Sequence, residues 1–334
     1  MSRCVTSARD RAPGPGPGGG TERGREREGA AHGASDCPGA LAARMAGLLV
    51  LALCLGAGVL LRDRLDAVPL NVYVLNVALP ALAIVALRDA PTVSGWGVVS
   101  VWLVFAVAYL GFTALGRPLG WDRATVGCLA LACGLSNTSF VGFPLLEAVV
   151  GPHAIPVAVP LDQLGSFLLL CTVAPVVAAR ASGEAWEVRA MAVRLARFPA
   201  LWAVIVALAL PADAWPAPLV DALGRVAATL SPVALVAVGA QLRLPERAAW
   251  GAFGAGLTYK LVLAPLLVWG WMRAGGEHDL ALEVAVLEAG MAPMASGVLL
   301  AVAHGLRPEL AGALLGVGVP LSLFTVWGWA QVVG

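Results

Sequence analysis

Apolar residues run along this chain in long, nearly unbroken stretches separated by short polar breaks. The stretches fall at approximately 45–61, 68–87, 94–115, 124–149, 154–179, 192–210, 219–242, 248–272, 280–303 and 309–332. Each is near the roughly 20 residues a helix needs to cross about 30 Å of hydrocarbon. Lipid offers backbone groups no partners, and runs of this length without period-two alternation read as helices rather than barrel strands. The pattern predicts an all-α polytopic membrane protein with ten transmembrane helices. Residues 1–44 stand apart: they hold the runs PGPGPGGG and TERGRERE and almost nothing to bury. They read as a disordered low-complexity tail, with Met45, directly before the first apolar stretch, as the expected true start. Met45–Leu61 has the length of a signal peptide, but Leu53 is too bulky before a processed Cys54 and further spans follow at once. It reads as a retained first span.

Composition agrees. Of 334 residues, 59% are apolar and 13% charged, and mean hydropathy is +0.82. A soluble core cannot hide that fraction, so a soluble enzyme, a disordered protein and a nucleic-acid binder with a basic surface are excluded. Cys54, Cys128, Cys133 and Cys171 lie inside apolar stretches and read as small buried hydrophobes. Arginine-rich usage, with Lys260 the only lysine, fits a GC-rich bacterial coding sequence.

The net charge of +1 conceals a sided distribution. Loops after spans 1, 3, 5, 7 and 9 carry Arg62, Arg64, Arg117, Arg123, Arg180, Arg189, Arg194, Arg197, Arg243, Arg247 and Arg307. The opposite loops carry only Arg88, Arg225 and Arg273. The positive-inside rule puts the first set in the cytoplasm and both termini outside, in a bacterial inner membrane. The longest loop, 180–191, then divides a first five-helix repeat (45–179) from a second (192–334). An odd number of spans per half makes any likeness between them an inverted repeat. Pro80 answers Pro232, Pro144 answers Pro293 and Pro175 answers Pro320.

Spans 4 and 9 break the helical pattern most strongly. Span 4 carries Ser136-Asn137-Thr138-Ser139 with Gly142 and Pro144; span 9 carries Glu288 with Gly290, Met291 and Pro293. Unwound backbone at mid-membrane depth is tolerated where it lines a cavity. There its carbonyls hold cations and its half-helix N-termini attract anions. A simple pair of packing kinks needs neither the Ser-Asn-Thr-Ser run nor a glutamate. Asp162 and Gln163 in span 5, with Ser166 one turn on, are further candidates, since an acid in mid-span is functional by default. Lys260 in span 8 is expected to snorkel toward a headgroup region, with pairing to a substrate carboxylate as the alternative. Glu147 and Glu283 read as interfacial, and Asn71, Asn76 and Gln241 as hydrogen-bonding between helices.

The stretches LNVYVLNVALPALAIVAL (70–87), SNTSFVGFPL (136–145), SPVALVAVGAQL (231–242) and EAGMAPMASGVLLAVAHGL (288–306) resemble the auxin efflux carrier family, within the group that includes bile acid:sodium symporters. Their order and spacing extend the resemblance from Met45 to the C-terminus. It implies two inverted five-helix repeats in which helices 4 and 9 are broken and cross near the membrane centre. It also implies secondary transport of a small organic anion, such as a mono- or dicarboxylate, by alternating access. Ser136-Asn137 resembles a Ser-Asn pair that helps bind sodium in the symporters, and Glu288-Ala289-Gly290-Met291 resembles their Glu-x-Gly-Met. A sodium site at Ser136, Asn137 and Glu288 is thereby implied. Ala292-Pro293 departs from the symporters' polar residues, and span 3 offers no glutamine, so proton coupling through Glu288 or no coupling stays open.

The substrate and ion set drawn from these readings is Ser136, Asn137, Thr138, Asp162, Gln163, Glu288 and Met291, with Gly142, Pro144, Gly290 and Pro293 as the breaks. Cargo on the same fold extends to a bile-acid-like or amino-acid-derived solute. A sensor would need a signalling domain and an intramembrane enzyme would need paired catalytic groups, so an enzyme is not expected. Expected partners are the organic anion and the lipid bilayer, without nucleic acid, and the readings admit a homodimer. No cofactor is expected beyond Na+ or H+ as coupling ion. The glycine-rich runs at Gly251–Gly256 and Gly312–Gly318 lie in apolar spans and suit close helix packing, not phosphate. His153 and His304 stand at loop edges without metal-ligand spacing.

Overall fold

The computed structural model describes residues 38–88, 94–184, 189, 193, 196–241 and 250–334, with side chains from residue 49 onward except at 241. Residues 1–37 of the expected tail and residues 185–188, 190 and 191 of the 180–191 linker lie outside the described residues. Among the described residues the chain is helical, without a strand. Six helices are long and apolar enough to cross a membrane. These are α2 (Ala67–Leu87), α3 (Gly95–Leu119), α6 (Pro152–Ser182), α8 (Ala217–Ala240), α9 (Trp250–Ala274) and α12 (Pro308–Val333). Between them stand α1 (Pro38–Leu61), α4 (Arg123–Cys133), α5 (Thr138–Val149), α7 (Pro199–Ala209), α10 (Asp279–Ala289) and α11 (Ala295–Ala303). Helix α1 begins inside the stretch read from sequence as tail.

Short polar side chains set the helix starts. Asp66 Oδ1 accepts from Val68 N at 2.9 Å, Ser94 Oγ from Gly97 N at 3.0 Å and Asp122 Oδ1 from Thr125 N at 2.8 Å. Gly120, at φ +68°, ends α3 in the left-handed conformation that glycine adopts without strain.

The molecule is apolar outside and polar at its centre. Leu53, Leu60, Leu110, Phe324 and Val332 are 65–85% exposed. Ser136, Asn137, Thr138, Ser139, Asp162, Gln163, Ser166, Lys260 and Glu288 are all buried. That inversion of the soluble arrangement is what a hydrocarbon solvent selects.

Helices α7 and α8 each pack on α2, and α1 joins α8 where Gly58 meets Gly239. Helices α3, α4, α6, α9, α10, α11 and α12 form a second cluster. Helix α5 reaches across to α8, and α6 to α2.

Four helices contain a widened, π-type turn: Val74–Ala78, Thr138–Gly142, Leu161–Phe167 and Tyr259–Leu263. Three of them stand just before a proline: Pro80, Pro144 and Pro265. A proline lacks the N–H of a regular turn and its ring collides with the carbonyl four residues back. Widening the preceding turn moves that carbonyl aside. In α9 the carbonyl so displaced is Leu261, and Trp329 Nε1 of α12 donates to it at 3.1 Å.

Candidate functional site

Two interruptions in the helices meet at the centre of the second cluster. Helix α4 ends at Cys133 and α5 begins at Thr138; α10 ends at Ala289 and α11 begins at Ala295. The unwound residues pair with each other. Ser136 and Pro293 form a single antiparallel bridge, Asn137 N donates to Ala292 O at 2.9 Å and Met294 N donates to Ala132 O at 3.2 Å. Backbone groups that lost helical partners are thus satisfied by the opposite break, as burial requires. Close approach depends on two glycines. A side chain at Gly297 would strike the Leu131 carbonyl, and a Cβ at Gly318 of α12 would lie 2.5 Å from Pro293 Cδ.

The four expected break residues divide. Gly290 caps α10 and Pro293 lies within the gap. Gly142 and Pro144 do not lie in a gap. They stand inside α5, where the widened turn passes into regular helix, and the interruption in span 4 is 134–137. The widened turn Thr138–Gly142 accommodates Pro144 there, as it does the other prolines.

Every expected binding residue is buried, but they form two groups. The first is built on Asp162, in the widened turn of α6. Its Oδ1 accepts from Thr138 Oγ1, and its Oδ2 accepts from Ser139 Oγ at 2.6 Å and Gln163 Nε2 at 2.6 Å. Both oxygens are taken by donors, so Asp162 clamps the start of α5 to α6. The second group surrounds a small cavity of about 10 Å³. Ser100, Ser136, Thr138, Ser166 and Glu288 line it. Glu288 is 2% exposed, and neither of its carboxyl oxygens has a hydrogen-bond partner; nor do Ser166 Oγ, Gln163 Oε1 and both polar atoms of the Asn137 side chain. Buried polar groups are nearly always paired, so these orphans stand out; of them, Ser166 and Glu288 share the cavity, while Asn137 and Gln163 lie outside its lining. Met291 is wholly buried, with its side chain beside Gly142.

Three readings from sequence need correction. Lys260 does not snorkel: it is fully buried and its Nζ donates to Ser136 Oγ at 2.5 Å. Asn76 does not bridge helices, since its Nδ2 donates to Val72 O of its own helix at 2.8 Å. Ser139, passed over as a site residue, holds Asp162; its place in the Ser-Asn-Thr-Ser run was the available signal. Gln241's side chain lies outside the described residues. Glu147 is exposed, as an interfacial acid should be.

A family model described as "membrane transport protein" matches residues 48–330. The chain belongs to this membrane transport protein family, that of the auxin efflux carriers. An uncharacterized transporter of Methanothermobacter thermautotrophicus is 26% identical over 277 residues, covering 80% of this chain and 89% of the relative. Membership of a transporter family, not an enzymatic one, agrees with the site. Its unpartnered buried polar atoms stand around the meeting of two helix ends.

Proposed function

We propose that this membrane transport protein is a secondary transporter of a small organic anion, such as a mono- or dicarboxylate. It works by alternating access in a bacterial inner membrane, with both termini outside. Ten spans as two inverted five-helix repeats account for the ten apolar segments, the arginine sidedness and the pairing of two interrupted helices. The observation that carries the reading is the Asn137 side chain, 1% exposed with both polar atoms unpartnered at the meeting of the breaks. An amide offers a donor and an acceptor, which suits a carboxylate and a neighbouring hydroxyl.

The start of α11 adds attraction for an anion. Met294, its N-cap, makes no side-chain hydrogen bond, so the free N–H groups and positive dipole end of that half-helix face the crossing unneutralised. The start of α5 is different, because Asp162 already places a negative group there. A cavity of about 10 Å³ has no room for an organic anion. Loading therefore requires the helices around the crossing to separate, which is the movement that alternating access needs. The widened turns give α5, α6 and α9 local hinges for it.

Labelled carboxylates should accumulate in proteoliposomes carrying the protein and not in empty ones. Asn137→Ala should lower that flux at least tenfold while the protein still inserts and melts cooperatively. Full flux in Asn137→Ala would refute the assignment of the crossing as the solute site.

A further inference from the structure

The single lysine of the chain stands in the middle of an apolar helix. Lys260 lies in the widened turn Tyr259–Leu263 of α9, 0% exposed, and its only described hydrogen bond goes to Ser136 Oγ at 2.5 Å. Ser136 is the residue of the unwound segment that bridges to Pro293. Close helix packing needs no ammonium here, and a buried ammonium is strongly disfavoured without a compensating negative charge. Glu288 supplies one. Its oxygens have no hydrogen-bond partner, and it lines the same small cavity as Ser136, the residue that accepts from Lys260.

A sodium ion at Ser136, Asn137 and Glu288, as the family resemblance implies, does not fit this arrangement. The oxygen of Ser136 already accepts from a cationic group. Asn137 does not line the cavity that holds Glu288. A metal ion taken up by Ser136 would sit next to that cationic group, a like charge. Like charges that close, away from water, repel strongly.

We propose that the Lys260 ammonium is a tethered cation standing where a coupling metal ion would otherwise bind. Glu288 is its counter-charge and Ser136 the hydroxyl that fixes it to the crossing. The conformational cycle then needs no sodium, because the cation travels with α9 instead of dissociating. This inference rests on the transport reading above.

The test uses the detergent-purified full chain and reads its melting temperature in sodium chloride against choline chloride at equal ionic strength. The wild type should melt at the same temperature in both. Lys260→Gln leaves Glu288 uncompensated, so it should melt lower in choline and recover by roughly 2–4 °C in sodium, as a ligand binding only the folded form does. Lys260→Gln/Glu288→Gln, with neither charge, should melt above the single variant in choline and lose the sodium response.

Two results would overturn the proposal: a wild type stabilised by sodium in a manner that Glu288→Gln abolishes, or a Lys260→Gln that melts with the wild type in choline. Should Lys260→Gln give no folded protein while the double variant folds, the uncompensated carboxylate is confirmed. Should neither fold, the wild-type sodium response decides alone. No measurement here uses a solute. Absence of carboxylate flux with this melting pattern intact would sink the transport reading alone, and a sodium-stabilised wild type with carboxylate flux would sink this inference alone.

Discussion

Asp162→Ala is the perturbation whose size the structure sets most directly. The carboxyl group of Asp162 accepts from Thr138, Ser139 and Gln163, and it is 1% exposed. Each hydrogen bond to a charged group contributes about 1.5–3 kcal/mol, so outright loss of all three would cost roughly 4–9 kcal/mol. The two hydroxyls can rotate toward other acceptors, which returns part of that. A net loss of about 3–5 kcal/mol remains, at the upper end for single substitutions. At roughly 2–4 °C per kcal/mol, the melting temperature should fall by something on the order of 6–20 °C. Ser139→Ala removes one bond and should cost about a third as much. Asp162→Asn keeps the shape but turns a donor toward donors, and should fall between the two. Melting followed by intrinsic tryptophan fluorescence, with eleven tryptophans in the chain, gives the order directly. If Asp162→Ala melted no lower than Ser139→Ala, Asp162 would not be the clamp between α5 and α6.

At the other end of α4, Asp122 caps the helix and pairs with Arg307 Nη2 at 2.6 Å. Hydrogen bonding from the Thr125 side chain, against opposing burial and with help from the Thr125 N–H and Arg307, holds its carboxyl below the ordinary aspartate range. Its contribution is therefore present above about pH 4 and lost as pH falls through the depressed value. Asp122→Ala should cost about 1 kcal/mol at neutral pH and flatten the acid limb of a melting-temperature profile; an unchanged limb would count against the cap. Gly318→Ala forces a methyl group onto Pro293 and should cost about 1–3 kcal/mol by overpacking, less a part returned by helix propensity. Gly328→Ala, in the same helix with nothing within 4 Å, should be neutral or stabilising, and equal melting shifts for the two would refute the close approach.

Much of the architecture was legible because lipid imposes one simple rule on sequence. Apolar runs of spanning length must be helices, and α2, α3, α9 and α12 begin and end within about four residues of the runs that predicted them. The interruption in span 9 was legible from Gly290 and Pro293. That of span 4 was displaced, since Gly142 and Pro144 looked like the breakers while the chain unwinds earlier, at the residues that pair with 291–294. Partner geometry, not local propensity, chose the place. Lys260 was misread for a similar reason: snorkelling is the default for a lone lysine in a span, and only the fold shows that Ser136 is near enough to hold it.

The prolines explain why those polar groups point inward. Lys260 sits one turn before Pro265, inside the widened turn that the proline imposes on α9. One extra residue in a turn rotates everything before it by about 100° relative to a regular helix. Pro265→Ala removes the reason for the extra residue and a burden of roughly 3 kcal/mol, so α9 should tighten and carry the Lys260 side chain away from Ser136. The variant should therefore combine a firmer helix with a lost contact, and Lys260→Gln introduced on top of it should lower the melting temperature far less than in the wild type. An undiminished effect of Lys260→Gln in that background would mean that packing around the lysine, and not the proline, aims it at the crossing.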